Sequence, residues 1–141
     1  ERPTSGSVLP CAAMMGTSER ESQKTLRGVQ EDLFVIQAMI AGDPKVLTYH
    51  RLEFLESVIA VVELEIEPIR SFTIPGATEL SGALDVGRTI ARRAERSVVA
   101  LNDEMLRGNV IPYLNRLSSV LFALARLTAH RAGIKEQKPT Y

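Results

Sequence analysis

Four arginines fall within nine residues, at positions 88, 92, 93 and 96, and they form the sequence's clearest candidate for chemistry. Arg88, Arg92 and Glu95 are spaced i, i+4 and i+7, so they share one face of a helix, and Arg96 lies one turn beyond Arg92. Guanidinium groups stay charged and bind phosphate oxygens bidentately, and Glu95 can orient them by hydrogen bonding. The pattern indicates either a polyphosphate site or a solvated face with intrahelical ion pairs.

A second candidate is the segment YLNRLSSVLF at positions 113–122. Asn115 precedes Ser118 and Ser119 by three and four residues, so its amide and their hydroxyls share one side of a helix. These groups flank a leucine stripe rather than lie in it. They could hydrogen-bond between helices inside a bundle, or they could bind a polar ligand.

The third candidate is the segment RSFTIPGA at positions 70–77. It is too apolar for an ordinary solvated loop, and its Pro-Gly pair fixes a turn. One interpretation is that Phe72 and Ile74 close the end of a helical bundle. The other is that the loop presents Phe72 to a flat ligand.

The remaining reactive side chains give weaker signals. His50 and His130 have no partner at metal-ligand spacing, so we expect solvated or capping roles and no metal site. Cys11 is the single cysteine, which excludes a disulfide within the chain and is compatible with a reducing compartment. The sequence contains no phosphate-binding loop, dinucleotide fingerprint, nucleophile elbow or zinc-protease motif.

The charge balance bears on the class of partner. The sequence has 17 basic and 17 acidic side chains, for a formal net charge of zero. Capture of nucleic acid or of an anionic membrane by bulk electrostatics favours a strong basic excess, so we expect neither partner. No apolar run approaches the roughly 20 residues that a membrane span needs, and no signal-peptide pattern opens the sequence.

The elements that position these groups are helices. Apolar residues recur at steps of three and four in four segments, which predicts helices over residues 23–41, 48–67, 80–106 and 110–132. A shorter fifth helix is expected at about Val8 to Met15. Thr48 is a plausible cap for the second helix, Thr78 or Ser81 for the third, and Asn109 for the fourth.

Strand signals are weak, since there is no sustained alternation and no hairpin turn. The prediction is therefore an all-α protein, an up-and-down bundle of four long helices and a short fifth. Residues 1–141 are expected to form one domain, with residues 1–7 and 135–141 flexible.

Together, the three candidate segments resemble the PduO-type ATP:cob(I)alamin adenosyltransferases. The family's loop F-x-L-P-G-G corresponds to residues 72–77, and its helix H-x-A-R-T-x-x-R-R-A-E-R corresponds to residues 85–96. Its signature Y-L-N-R-L-S-D-x-L-F corresponds to residues 113–122. The match in order and spacing runs from Phe72 to Arg126. Asp85 stands in place of the family's usual His.

The resemblance implies a ferritin-like five-helix bundle, normally a homotrimer with nucleotide sites between subunits. It implies transfer of the 5′-deoxyadenosyl group of ATP to the cobalt of cob(I)alamin, with Mg²⁺ and release of triphosphate. Phe72 takes the position of the aromatic residue that occupies the lower face of cobalamin, and Phe72, Arg88 and Arg92 are the implied catalytic residues. The implied nucleotide-binding positions are Arg88, Arg92, Glu95, Arg96, Asn115 and Ser118.

The resemblance also bears on location and on catalytic competence. The enzyme would be cytoplasmic, or in an organellar matrix if a transit peptide had been removed. The family's glycine- and threonine-rich amino-terminal segment, which wraps ATP, is not found in the sequence. The alternative function is therefore a non-catalytic helical-bundle homologue that binds ATP or corrinoid, or that serves a structural or interaction role.

Overall fold

The structure is a computed structural model that describes residues 9–68 and 70–141, with side chains described from residue 19 onward. This part of the chain contains helices, turns and loops but no strand, so the all-α prediction is confirmed. The helices, in chain order, are α1 (Leu9–Ile40), α2 (Tyr49–Glu65), α3 (Glu79–Ala100), α4 (Glu104–Gly108) and α5 (Val110–Arg131).

Helix α5 is the centre of the bundle, because it packs against each of the other four helices. The apolar period of α5 predicts one buried face, and on it Val110, Leu114, Leu117 and Leu124 are all buried. Burying a large aliphatic side chain contributes about 1.5–3 kcal/mol relative to leaving it exposed. These contacts fix the orientation of α5 and hence of the polar residues on its flanks.

Helix α3 lies against α5 through the small residues of its own stripe. Ala91 is buried, and a β-carbon added to Gly87 would lie 3.6 Å from Leu121 Cδ1 on α5. The two backbones can approach because no long side chain separates them at these positions. This packing places the arginine-rich stretch of α3 beside the Asn115 side of α5.

The predicted single helix over residues 80–106 is wrong, because the chain breaks between α3 and α4. Asn102 adopts a left-handed conformation with φ of 53°, which asparagine tolerates better than most residues. Asp103 then caps α4, its Oδ1 accepting a 2.8 Å hydrogen bond from Met105 N. Leu101 and Met105 continue the apolar period by chance, since both are exposed and Leu106 is the buried residue.

The amino-terminal prediction is also corrected. No separate helix covers residues 9–15, because they form the first turns of α1, which continues without interruption to Ile40. The short fifth helix of the bundle is α4 instead. Val8, and the expectation that residues 1–7 are flexible, lie outside the described residues.

The predicted caps have different outcomes. Thr78 and Ser81 form a capping box at the start of α3, in which each side chain accepts a hydrogen bond from the other residue's backbone amide. Thr48 occupies the cap position of α2 but its side chain makes no capping hydrogen bond. Asn109 makes none for α5 either, because its Nδ2 instead donates to the carbonyl of Leu47 at 2.9 Å. That bond ties the α1–α2 connection to the start of α5.

A buried polar network joins α1, α2 and α5. Tyr113 Oη donates to Asp32 Oδ2 at 2.7 Å, and Arg51 Nε contacts both oxygens of the same carboxylate at 2.8 and 2.9 Å. Arg51 also lies over the ring of Phe54, 4.5 Å from its centre. Because Asp32 is buried, its carboxylate needs these hydrogen-bond donors to offset the loss of water around it.

Several large apolar side chains lie on the outside of the bundle. Phe34 on α1, Leu64 on α2, and Val86 and Ile90 on α3 are all exposed. None of the helices in the described part of the chain combines the length and apolar character that crossing a membrane requires. Val86 and Ile90 are one turn apart on α3, and adjacent exposed apolar side chains of this kind are found on surfaces that contact another protein.

Candidate functional site

The loop between α2 and α3 presents Phe72 to solvent. The Phe72 side chain is 77% exposed, so the hypothesis that it closes the end of the bundle is wrong. Gly76 adopts a positive φ of 93°, and a β-carbon on Gly82 of α3 would lie 3.3 Å from the Gly76 α-carbon. The loop therefore turns tightly against the first turns of α3, and this contact leaves Phe72 projecting outward.

Phe72 forms one wall of a cleft of about 700 Å³ at this end of the molecule. The other walls come from α3, α5 and the carboxyl-terminal tail. Among the lining residues are Phe72, Asp85, Arg88, Phe122, Arg126 and Tyr141. The cleft, which Arg70 also lines, thus combines aromatic surface with three guanidinium groups, a composition suited to a flat, partly polar ligand.

Arg88 lies inside this cleft, on the first part of the arginine stretch. Its guanidinium carbon is 6.0 Å from the centre of the Phe122 ring. Its Nε is buried and has no hydrogen-bond partner among the described residues. A buried guanidinium donor without a partner is costly unless a ligand satisfies it, so Arg88 is the described arginine best placed to meet an anion in the cleft.

Arg126 is a functional candidate that the sequence interpretation did not identify. It lies on α5 and is only 5% exposed, with its guanidinium carbon 4.8 Å from the Phe122 ring centre. Its Nη2 contacts Asp85 Oδ2 at 2.5 Å, and its Nε contacts Glu136 Oε1 at 2.6 Å. Asp85 therefore pairs with a buried cation.

The carboxyl-terminal tail contacts the same region. Residues 134–141 contain no helix or strand, and polar sequence alone predicts that residues 135–141 fray. In the structure, Glu136 contacts Arg126, and the carbonyl of Gln137 accepts a 2.7 Å hydrogen bond from Ile74 N in the Phe72 loop. No local sequence signal predicts either contact. Arg126 and Glu136 are separated by the turn that follows α5, and Ile74 and Gln137 are far apart in the sequence.

One turn further along α3, three of the predicted residues form a hydrogen-bonded chain. Arg92 Nη1 donates to Glu95 Oε2 at 3.1 Å, and Asn115 Nδ2 donates to Glu95 Oε1 at 3.1 Å. The Arg92 side chain is 46% exposed, whereas that of Glu95 is 15% exposed. Glu95 therefore holds Arg92 in place while leaving much of its guanidinium accessible.

The other predicted site residues on these two helices are Ser118 and Arg96. Ser118 is buried, and its hydroxyl donates to the Asn115 carbonyl at 2.6 Å. Arg96 is exposed on α3. The structure thus brings Phe72 and Arg88 to one cleft, and Arg92, Glu95 and Asn115 to one cluster. Ser118 contacts this cluster through the backbone carbonyl of Asn115, and Arg96 belongs to neither group.

The two histidines are exposed, His50 at the start of α2 and His130 in the last turn of α5. His130 also lines a second cleft, of about 750 Å³, which shares Thr73 and Arg126 with the first. Within residues 19–68 and 70–141, where side chains are described, no group of three or more His, Cys, Asp or Glu side chains could hold a metal ion.

Comparison with known proteins finds relatives of this chain. Residues 5–128 match the family model described as cobalamin adenosyltransferase. The corrinoid adenosyltransferase PduO of Salmonella typhimurium is 36% identical over 139 residues, which cover 91% of this chain and 40% of that protein. A corrinoid adenosyltransferase of Citrobacter freundii is 36% identical over 119 residues, covering 79% of this chain and 68% of the relative.

Solved structures show the same likeness. A variant PduO-type ATP:corrinoid adenosyltransferase from Lactobacillus reuteri, complexed with ATP, aligns with a TM-score of 0.74 at 30% identity, covering 82% of this chain and 69% of that chain. A second variant, complexed with cobalamin and ATP, aligns with a TM-score of 0.73 at 27% identity, covering 82% and 68%. The chain spans about two fifths of the length of the PduO relative from Salmonella typhimurium. Sequence and fold together show that the chain belongs to the cobalamin adenosyltransferase family.

Proposed function

We propose that this chain transfers the 5′-deoxyadenosyl group of ATP to the cobalt of cob(I)alamin. Cobalt(I) supplies the electron pair that forms the bond to the 5′ carbon, the bond from that carbon to oxygen breaks, and triphosphate leaves with the electron pair of the broken bond. The observation that carries the proposal is the cleft that Phe72 and Arg88 share, one helical turn from the cluster of Arg92, Glu95 and Asn115.

The arginines act on the leaving triphosphate. Negative charge accumulates on its oxygens as the carbon–oxygen bond breaks, and preorganised donors aimed at that charge lower the barrier. Arg88 has a buried donor without a described partner, and Arg92 is held by Glu95 with much of its guanidinium exposed. We assign both to the polyphosphate, with Arg96, Asn115 and Ser118 as further nucleotide-binding positions.

Phe72 acts on the corrinoid. An exposed aromatic ring in an otherwise fixed loop offers an apolar surface to the lower face of the corrin. Such a ring would displace the lower axial ligand of cobalt, which makes Co(II) easier to reduce to the nucleophilic Co(I) state. Its exposure in the free chain supports this assignment, since a core residue could not make the contact.

Mg²⁺ enters this proposal with ATP rather than as a resident ion. The described residues offer no cluster of ligands for a metal, and both oxygens of Glu95 already accept hydrogen bonds from Arg92 and Asn115. Mg²⁺ keeps several waters and is often held through substrate phosphates. None of the proposed side-chain roles depends on a metal bound to the protein.

The proposed assembly is a homotrimer of single-domain chains in the cytoplasm, with each nucleotide site shared between subunits. The exposed apolar side chains on the outer faces of α1 and α3, among them Phe34, Val86 and Ile90, support an interface there. Sedimentation at micromolar concentration should give three times the mass of the chain. A monomer under these conditions would contradict the shared site.

The function is tested by mixing the chain with ATP, Mg²⁺ and reduced cobalamin and recording the appearance of the adenosylcobalamin spectrum. Phe72→Ala should lower turnover and leave ATP affinity, measured without cobalamin, unchanged. Met105→Ala is the matched control, because it removes a similarly exposed apolar side chain that does not line the cleft. If the wild-type chain binds ATP and cobalamin without forming product, it is a non-catalytic homologue and the proposal is wrong.

A further inference from the structure

We propose that Glu136 and Arg126 are positioning residues for the Phe72 loop, and that the segment from Glu136 to Gln137 acts as a strap joining the core to that loop. This inference rests on the proposed function only in its consequence for corrinoid binding. The strap itself is a physical arrangement that can be tested without any substrate.

The inner end of the strap is the ion pair between Glu136 and Arg126. Their contact is 2.6 Å, and their side chains are 11% and 5% exposed, so little water competes for either charge. A charge-assisted hydrogen bond in such surroundings is stronger than a bond between neutral groups. The pair therefore fixes one point of the tail against α5.

The outer end of the strap is a backbone hydrogen bond to the loop. Gln137, the residue after Glu136, accepts a 2.7 Å bond from Ile74 N, and Ile74 is two residues from Phe72. Because adjacent residues of the tail make the two contacts, movement of Glu136 away from Arg126 would also withdraw the Gln137 carbonyl. The position of the loop is in this way coupled to a charge in the core.

Arg126 can lose Glu136 without becoming an unpaired buried cation. Asp85 on α3 contacts its other branch at 2.5 Å and is itself buried. The pair of Arg126 and Asp85 is formally neutral, whereas the triad with Glu136 carries one excess negative charge. Removal of Glu136 should therefore release the tail without unfolding the bundle, which makes this position suitable for a test.

Glu136 also has one oxygen, Oε2, that is buried without a hydrogen-bond partner among the described residues. A glutamine at this position could keep the accepting oxygen toward Arg126 Nε and place its amide nitrogen where Oε2 lies. Glu136→Gln should thus preserve the geometry and weaken the attraction, while Glu136→Ala removes both. Comparison of the two variants distinguishes the loss of the Glu136–Arg126 contact from a general effect of mutating the tail.

The test is the hydrogen-exchange rate of the Ile74 amide in the full chain, measured by NMR. We expect exchange to be faster by about tenfold or more in Glu136→Ala and intermediate in Glu136→Gln. Glu65→Ala is the control, since it breaks another Arg–Glu pair between segments, the 2.8 Å contact with Arg131 on the surface, and should leave Ile74 unchanged. Amides of α5 should keep their wild-type rates in all three variants.

Equal Ile74 exchange in Glu136→Ala and wild type would overturn the proposal, and so would uniform acceleration of the α5 amides. If the wild-type chain transfers adenosyl groups, Glu136→Ala should also raise the KM for corrinoid about tenfold more than the KM for ATP. Equal changes in the two KM values would contradict the link to Phe72. Absence of transfer in wild type would contradict the proposed function and leave the exchange result to decide the strap.

Discussion

The side-chain amide of Asn115 on α5 donates a 3.1 Å hydrogen bond to Glu95 Oε1 on α3. This contact joins two segments that are 20 residues apart and that each contain a candidate polar motif. The second oxygen of Glu95 accepts from Arg92, so the orientation of that arginine depends on both helices. Arg92 is therefore a sharper test of the nucleotide site than an arginine that is free to rotate in solvent.

Replacement of Arg92 by alanine should weaken ATP binding or turnover by roughly tenfold to more than a hundredfold. A charge-assisted contact of this kind is worth about 1.5–3 kcal/mol. The melting temperature should change little, because the Arg92 side chain is 46% exposed and surface substitutions usually alter stability by no more than about 0.5 kcal/mol. Isothermal titration with ATP and a thermal melt measure the two effects.

Two further variants complete this experiment. Arg93→Ala removes a neighbouring exposed arginine of α3 and should leave ATP affinity unchanged. Arg92→Lys should restore affinity only in part, because an ammonium group cannot reproduce a bidentate guanidinium contact. Unchanged ATP binding in Arg92→Ala, together with a lowered melting temperature, would mean that the arginine face is a structural ion-pair network.

Replacement of Asp32 by alanine should destabilise the fold by about 3 kcal/mol or more. Its carboxylate accepts from Tyr113 and Arg51 inside the bundle, and its removal leaves a buried hydroxyl and a partly buried cation without their acceptor. Urea denaturation followed by circular dichroism measures the loss. Glu56→Ala breaks the exposed pair with Arg116 and should cost no more than about 1 kcal/mol. Similar losses in the two variants would contradict the importance of the buried network.

The Tyr113 phenol should make stability depend on alkaline pH. Burial, with the hydrogen bond to Asp32, raises the pKa of Tyr113 far above its usual value of about 10. Because the unfolded chain releases this proton at lower pH than the folded chain, the contribution is fully present below about pH 10 and is lost as pH rises above it. The free energy of unfolding should therefore fall more steeply above pH 10 in wild type than in Tyr113→Phe. Parallel curves would contradict the raised pKa.

The helices could be predicted because their apolar period is a local property of the sequence. The period fails at Leu101 and Met105, where it continues through a break that is set by the conformation of Asn102 and the cap of Asp103. An Asn-Asp pair ahead of a short apolar segment is a signal that could have located this break. The apolar period, which continues through residues 101 and 105, favours one uninterrupted helix over that signal.

The site was predictable only in part, for a physical reason. Arg92 and Glu95 interact within one helix, so their spacing was informative. The exposure of Phe72 depends on how its loop packs against α3 and the tail, which spacing does not determine. Arg126 could have been noticed as a charge between the apolar residues 125 and 127, but its pairing with Glu136 depends on the path of an irregular tail.

The most direct test of the central claim is the stoichiometry of products from ATP and reduced cobalamin in a single reaction. Adenosyl transfer predicts that adenosylcobalamin, followed by its absorption spectrum, and intact triphosphate, separated by anion-exchange chromatography, appear in equal amounts. Both should fall together in Arg92→Ala and remain at the wild-type level in Arg93→Ala. Release of orthophosphate or diphosphate without adenosylcobalamin, or no product at all from a folded chain that binds ATP, would contradict the account.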